Sequence, residues 1–335
     1  MSKVIRQGFE WLICLAIGFL IINLICFAYE REPAWMDTPN GATPSVREPY
    51  SILVHGSEGY SISRIDKNGY TNPDKELADK YILMLGASHV QGKEIAPEKK
   101  YSVLVNDYLY KDDLLHVYNI ACDGSFLPGQ IKYFKSAVEA FPNSEVIFLE
   151  VHDTDYSIDE IKSAMEQIKY DSNDTAAKFE DLSLKGKIKC LVKNSVPILS
   201  RIKKNIEAIK NASSSKTEYQ VDIDEYEQVI NESMELIRSE FDKPIIMVYH
   251  PRTELEKDGS MTVKYSKTWE SFRKACVNNN IDVIDSGEDF VLHFNETKEV
   301  PYGFSNTTLC SGHLNAVGHQ IIADEIIEYL EGINN

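Results

Sequence analysis

Tyr81-Ile-Leu-Met-Leu-Gly-Ala-Ser-His-Val-Gln-Gly92 is the stretch on which the reading of this 335-residue chain turns. Its first five residues form a short apolar run stopped by Gly86, the pattern of a core strand covered on both faces of a parallel sheet. In open α/β sheets, ligands bind beyond the carboxyl ends of such strands, and Ser88 falls there. A serine becomes a nucleophile only when a base takes its proton, and an imidazole suits that task. The same turn also occurs where the serine merely caps the following helix, so a second signal is needed. Cys310-Ser-Gly-His-Leu-Asn-Ala-Val-Gly-His319 supplies it, placing His313 at the mouth of a closing helix over about 315–327.

Strand and helix patterns alternate outward from this stretch. Strands are predicted at 81–85, 115–120, 145–151, 244–249 and 281–284, and helices at 100–110, about 130–140, 223–241 and 265–278. Such alternation implies right-handed crossovers and a five-stranded parallel sheet with helices on both faces, an α/β domain over 79–332. Residues from about 158 to 218 are charged and helical in pattern, broken by Asn194-Ser-Val-Pro197 and by a Ser tract, and read as a helical insertion. Residues 30–78, rich in Pro, Gly, Ser and Tyr, predict a stalk followed by short turns or strands, with a tight turn at Lys67-Asn-Gly-Tyr70.

Between Trp11 and Ala28 the only polar interruption is Asn23, and these residues as a helix would reach about 27 Å, close to a hydrocarbon core. Residues 11–29 therefore predict a membrane anchor, with a cleaved signal peptide as the rival. Lys3 and Arg6 precede it, which favours a cytoplasmic segment 1–10 and an outward-facing domain. The formal charge of −17 and the lack of a basic stripe argue against nucleic acid as a partner. The six cysteines include no C-x-x-C pair and the histidines lack metal-ligand spacing, so neither metal nor cofactor is implied. An enzyme working on its own bilayer would want an exposed apolar rim, which this acidic composition does not advertise.

The first and last blocks together resemble the SGNH (GDSL-like) hydrolase family, whose Gly-Asp-Ser appears as Gly86-Ala87-Ser88 and whose His-Leu-Asn-x-x-Gly-His is met at 313–319. The resemblance implies a flavodoxin-like three-layer sandwich with Ser88 and His313 as catalytic pair. It also implies oxyanion donors from the Ser88 backbone, from Gly124 in Asn119-x-x-x-x-Gly124, and from the residue at position 152. At that last place the family has asparagine and this chain has His152, either a substitute N–H donor or an ordinary loop histidine. The family's acid, three residues before the histidine, is replaced by Cys310, a neutral thiol that cannot stabilise an imidazolium.

Three readings follow from that replacement: a Ser-His dyad held by a backbone carbonyl, which is preferred; an acid from elsewhere, such as Asp285 or Asp123; or loss of activity. A Cys122–Cys310 disulfide would fix the histidine loop. His89 and His250 are candidate substrate or orienting contacts, and His319 is expected to be structural. The implied activity is that of a membrane-anchored, outward-facing serine esterase or O-acyltransferase for O-acyl groups, most plausibly acetyl, of a surface polysaccharide or glycoconjugate. Its partners would be an acylated carbohydrate or short acyl ester, the membrane and, for transfer, a membrane-bound acyl donor protein. The alternative is an inactive glycan-binding or assembly protein on the same fold.

Overall fold

The computed structural model of the chain describes residues 3–36, 38, 41–73, 77–110, 115–168, 183–199, 201–203, 206 and 222–334. Helix α1, Lys3–Tyr29, contains a 25-residue stretch, Ile5–Tyr29, of mean hydropathy 2.6. By length and composition it can cross a membrane, as an anchor or as a signal sequence. It contributes nothing to either hydrophobic core.

The segment expected to be a stalk followed by short turns or strands holds two short antiparallel pairs among its described residues. Trp35–Met36 (β1) pairs with Val46–Arg47 (β2), and Ile52–His55 (β3) pairs with Ser61–Arg64 (β4), both antiparallel. Leu53, Ile65 and Tyr70 are buried, and the Arg47 guanidinium is enclosed between the Trp35 ring and Glu32. Asp66 and Asn72 bond Tyr118 and the Asn119 backbone, tying the segment to the main domain. The turn expected at 67–70 is present, with Gly69 at φ +92°.

The main sheet is built from β5 (Tyr81–Leu85), β6 (His116–Asn119), β7 (Ser144–Val151), β8 (Ile245–Tyr249) and β11 (Asp282–Asp285). Its order is β6-β5-β7-β8-β11 with every neighbour parallel, the flavodoxin-like order 2-1-3-4-5. The apolar runs are continuous because both faces are covered: Tyr81, Leu83 and Leu85 enter one core, Ile82 and Met84 the other. On the first face lie α4 (Leu127–Ala140), α5 (Ile158–Ile168), α7 (Ile223–Glu240) and α8 (Trp269–Asn278). On the second lie α3 (Tyr101–Tyr110), α9 (Gly287–Thr297) and α10 (Ala316–Asn334). Two short elements complete the set, α2 (Ser88–Gln91) after β5 and α6 (Leu184–Ser195).

Three expectations change. The supposed insertion begins later, because Ile161, Ala164 and Ile168 of α5 enter the core. Beyond it only 183–199, 201–203 and 206 of that stretch are described, and the rest of the expected insertion lies outside the described residues. A hairpin of β9 (Arg252–Leu255) and β10 (Met261–Lys264), and helix α9, were not anticipated. The polar, four-residue strands of that hairpin give no periodic signal.

Candidate active site

Strand β5 delivers Ser88 to the first position of α2, where backbone N–H groups lack an intrahelical acceptor. His313 lies on the loop before α10, held by its carbonyl to the Gly303 N–H at 3.0 Å and by the neighbouring Tyr302–Leu314 bridge. Asn315 fixes the loop further, accepting from the Val317 and Gly318 N–H groups and donating to the carbonyls of Val300 and Gly303. Folding brings Ser88 Oγ to 2.8 Å from His313 Nε2.

The carboxylate behind the histidine is Glu58, at the tip of the β3–β4 hairpin. Its Oε2 lies 2.6 Å from His313 Nδ1 and its Oε1 accepts the His313 backbone N–H at 2.6 Å. Burial pushes the Glu58 carboxyl up, but the bonds from His313 outweigh it and hold it below its usual value. Burial alone would lower His313; the Glu58 bond and the charges of Glu94 and Glu58 raise it instead. Glu94, its Oε1 3.7 Å from His313 Nε2, is nearly enclosed, and that burial raises it to about 7. The arrangement is serine, imidazole and carboxylate in series, the geometry that activates a hydroxyl for acyl transfer.

Neither acid nominated from sequence occupies this place. Asp123 pairs with Lys93, and Asp285 caps α9 by accepting from the Gly287 N–H at 3.0 Å. The preferred dyad with a backbone carbonyl gives way as well, since a carboxylate holds the ring. The Cys122–Cys310 disulfide is also corrected, because both are free thiols. Cys122 Sγ faces the Ser45 carbonyl at 3.2 Å, while burial raises the Cys310 thiol.

Beside the triad lies a second carboxylate that sequence did not single out, Glu150 at the end of β7. It is 1% exposed, accepts the Ala87 N–H at 2.8 Å and lies 2.8 Å from His250 Nε2 and 3.5 Å from His152 Nδ1. Despite a burial penalty, the two histidines keep it well below the usual carboxylate range. His250 is wholly buried against Glu150 and the Tyr302 hydroxyl, and burial lowers it. It is therefore an internal support and not a substrate contact. His89 is likewise enclosed, its Nδ1 accepting the Leu314 N–H at 3.2 Å, and burial followed by repulsion from His250 keeps it neutral. Its ring packs against His313 and His152 at centroid distances of 5.0 Å, so it supports the catalytic loop from behind. His319 is buried and accepts the Tyr101 N–H. Asn119 is tied to the Val90 carbonyl and the Ser102 hydroxyl. Gly124 sits at φ +81° with open space where a side chain would project, and His152 is partly exposed beside Phe126.

No family model and no curated protein matches the sequence. Among solved structures, an acetyl xylan esterase, AlAXEase, is similar at 12% identity and TM-score 0.43, over 74% of this chain and 98% of that one. The psychrotrophic esterase EstA from Pseudoalteromonas sp. gives 12% identity and TM-score 0.41, over 76% of this chain and 100% of that one. A lipolytic G-D-S-L family protein from Desulfitobacterium hafniense gives 13% and 0.37, over 74% and 98%. On its strand order, and on the serine and histidine that its first and last motif blocks bring together, the chain has the fold of the SGNH (GDSL-like) hydrolases.

Proposed function

We propose that this protein is a membrane-anchored serine esterase or O-acyltransferase whose catalytic unit is Ser88, His313 and Glu58. The observation that carries the reading is the unbroken chain from Ser88 Oγ to His313 Nε2 at 2.8 Å and from His313 Nδ1 to Glu58 at 2.6 Å. Ser88 Oγ attacks the ester carbonyl carbon while its proton passes to His313 Nε2, and Glu58 stabilises the imidazolium. The N–H groups of Ser88 and Gly124 and the ring N–H of His152 face the oxyanion. The tetrahedral species collapses by breaking the carbon–oxygen bond to the alcohol, which leaves with the His313 proton. Water or an acceptor hydroxyl then takes the acyl group by the same steps in reverse.

Lys3 and Arg6 ahead of α1 favour a cytoplasmic N-terminus and an outward-facing catalytic domain. That location and the motif resemblance support O-acyl groups, chiefly acetyl, of a surface polysaccharide or glycoconjugate as substrate. The inactive-module alternative rests on the missing acid and on the His152 substitution, and the position of Glu58 speaks against the first of these.

A fluorophosphonate probe should modify the wild-type chain at Ser88 and leave Ser88→Ala unlabelled. Release of acetate from acetylated oligosaccharides, with and without added acceptor sugars, then separates hydrolysis from transfer. A folded wild-type chain that never labels would remove the enzymatic reading.

A further inference from the structure

Helix α6 reads Leu184-Lys-Gly-Lys-Ile-Lys-Cys-Leu-Val-Lys-Asn-Ser195 and is capped by the Ser183 hydroxyl on the Gly186 N–H at 3.2 Å. Leu184, Ile188, Leu191 and Val192 recur at helical spacing, so they form one stripe along the helix. The stripe is bare: Leu184 is 76% exposed, Ile188 54% and Leu191 66%. In a chain of net charge −17 this helix carries four lysines and no acidic residue. A bare apolar stripe flanked by lysines is the pattern of a helix lying in a membrane interface.

The position of α6 agrees with its composition. Asn23, the one polar interruption of the apolar run, donates from Nδ2 to the Ser195 carbonyl at 3.0 Å, which pins the end of α6 against α1. Arg201, just beyond, lies 3.8 Å from Glu30 at the end of the span. Asn23 stands six residues before Tyr29, about 9 Å along a helix axis. Interfacial helices sink about 5–10 Å into the headgroup and acyl boundary, the depth at which this contact lies. The turn carrying Glu58 is tied to the same helix end: Tyr60 donates to the Ala28 carbonyl at 3.0 Å and the Gly56 N–H to Glu30 at 3.2 Å.

We infer that α6 lies in the leaflet on the domain's side of the membrane, its apolar stripe among acyl chains and its lysines on anionic phospholipid headgroups. The Ser88 site is thereby held at the membrane surface, where it meets esters presented close to the bilayer. A second copy of the chain is the competing occupant, but it does not account for a contact made at the depth of Asn23. The inference rests on α1 being an uncleaved span.

The test is tryptophan quenching in the full chain, reconstituted in vesicles of phosphatidylcholine and phosphatidylglycerol with brominated acyl chains. Of the three tryptophans, Trp11, Trp35 and Trp269, Trp11 lies within α1, so the quenching lost on Trp11→Phe reports the span. Leu191→Trp should add a quenched component, whereas Leu292→Trp, at a half-exposed position on α9, should add an unquenched one. Replacing Lys185, Lys187 and Lys189 together by glutamate should reduce the Leu191→Trp quenching. A quenched Trp11 with an unquenched Leu191→Trp overturns the inference while leaving the anchor standing. A blue-shifted Leu191→Trp emission without quenching assigns the stripe to a second copy and overturns it too. Quenching that survives the triple lysine variant unchanged overturns the anionic-lipid assignment. An unquenched Trp11 removes the anchor, and this inference with it, without touching the triad.

Discussion

Glu58 is the residue on which the chemistry depends most visibly, because the place where the family keeps its acid holds Cys310. Glu58→Gln should keep the fold and lower kcat/KM by about 10³–10⁴-fold, the scale for neutralising a triad acid. Fluorophosphonate labelling rates alongside circular dichroism check this, and unchanged labelling would return the site to a dyad. Attack on the ester needs neutral His313, whose folded value lies above the ordinary 6.5, so the rate should rise with pH through a midpoint above 6.5. Glu58→Gln should move that midpoint down, which a pH profile of kcat/KM reads directly. The same pair links stability to pH. The raised His313 contributes stability that is full below 6.5 and lost as pH rises through its folded value. The lowered Glu58 contributes stability present above 4.5 and lost as pH falls through its folded value. The pair therefore stabilises most between 4.5 and 6.5. His152→Ala should cost about 10²-fold in kcat if its ring N–H serves the oxyanion, while His152→Asn should largely preserve the rate. Steady-state kinetics on a short acyl ester would decide, and an unchanged His152→Ala removes the role.

The element that matters most to the proposed chemistry is the β3–β4 hairpin, which carries the Glu58 carboxylate on a turn outside the main sheet. The histidine loop is shaped to receive it. Gly312 sits at φ +80°, and a Cβ there would come within 2.1 Å of Glu58 Oε1. Gly312→Ala combines backbone strain with displacement of the acid, so its activity loss should approach that of Glu58→Gln. Because both core clusters lie elsewhere, its melting temperature should fall by only a few degrees. Thermal melts beside labelling rates test this, and a global loss of folding would make Gly312 a structural residue instead. In sequence, Gly56-Ser-Glu-Gly59 separates Ile52–His55 from Ser61–Arg64, the two strands that the structure pairs. Nothing in that local pattern points to a histidine 255 residues downstream.

At the scale of the molecule, the folded domain and α1 are separate stability problems joined at the hairpin. A chain starting at Glu30 should fold, since no residue of α1 belongs to either core. Its activity should drop more than its stability, because the Glu58 turn loses its bond to the Ala28 carbonyl. Calorimetry and ester hydrolysis on the two forms compare these, and equal activities would uncouple α1 from the site. The amino-acid sequence by itself determined the central sheet, because strands buried on both faces must read as apolar runs and each run ends in its own turn. It likewise singled out Ser88 and His313, since each sits in a local motif that strand, loop and helix geometry makes recognisable. Only the tertiary structure decided that Glu58 stands behind His313, that Glu150 gathers His250 and His152, and that the β1–β4 strands join the main domain through Asp66 and Asn72. The physical reason is range. Periodicity and caps are set by neighbours a few residues apart, whereas a carboxylate finds its imidazole through the closure of a sheet and a hairpin distant in sequence.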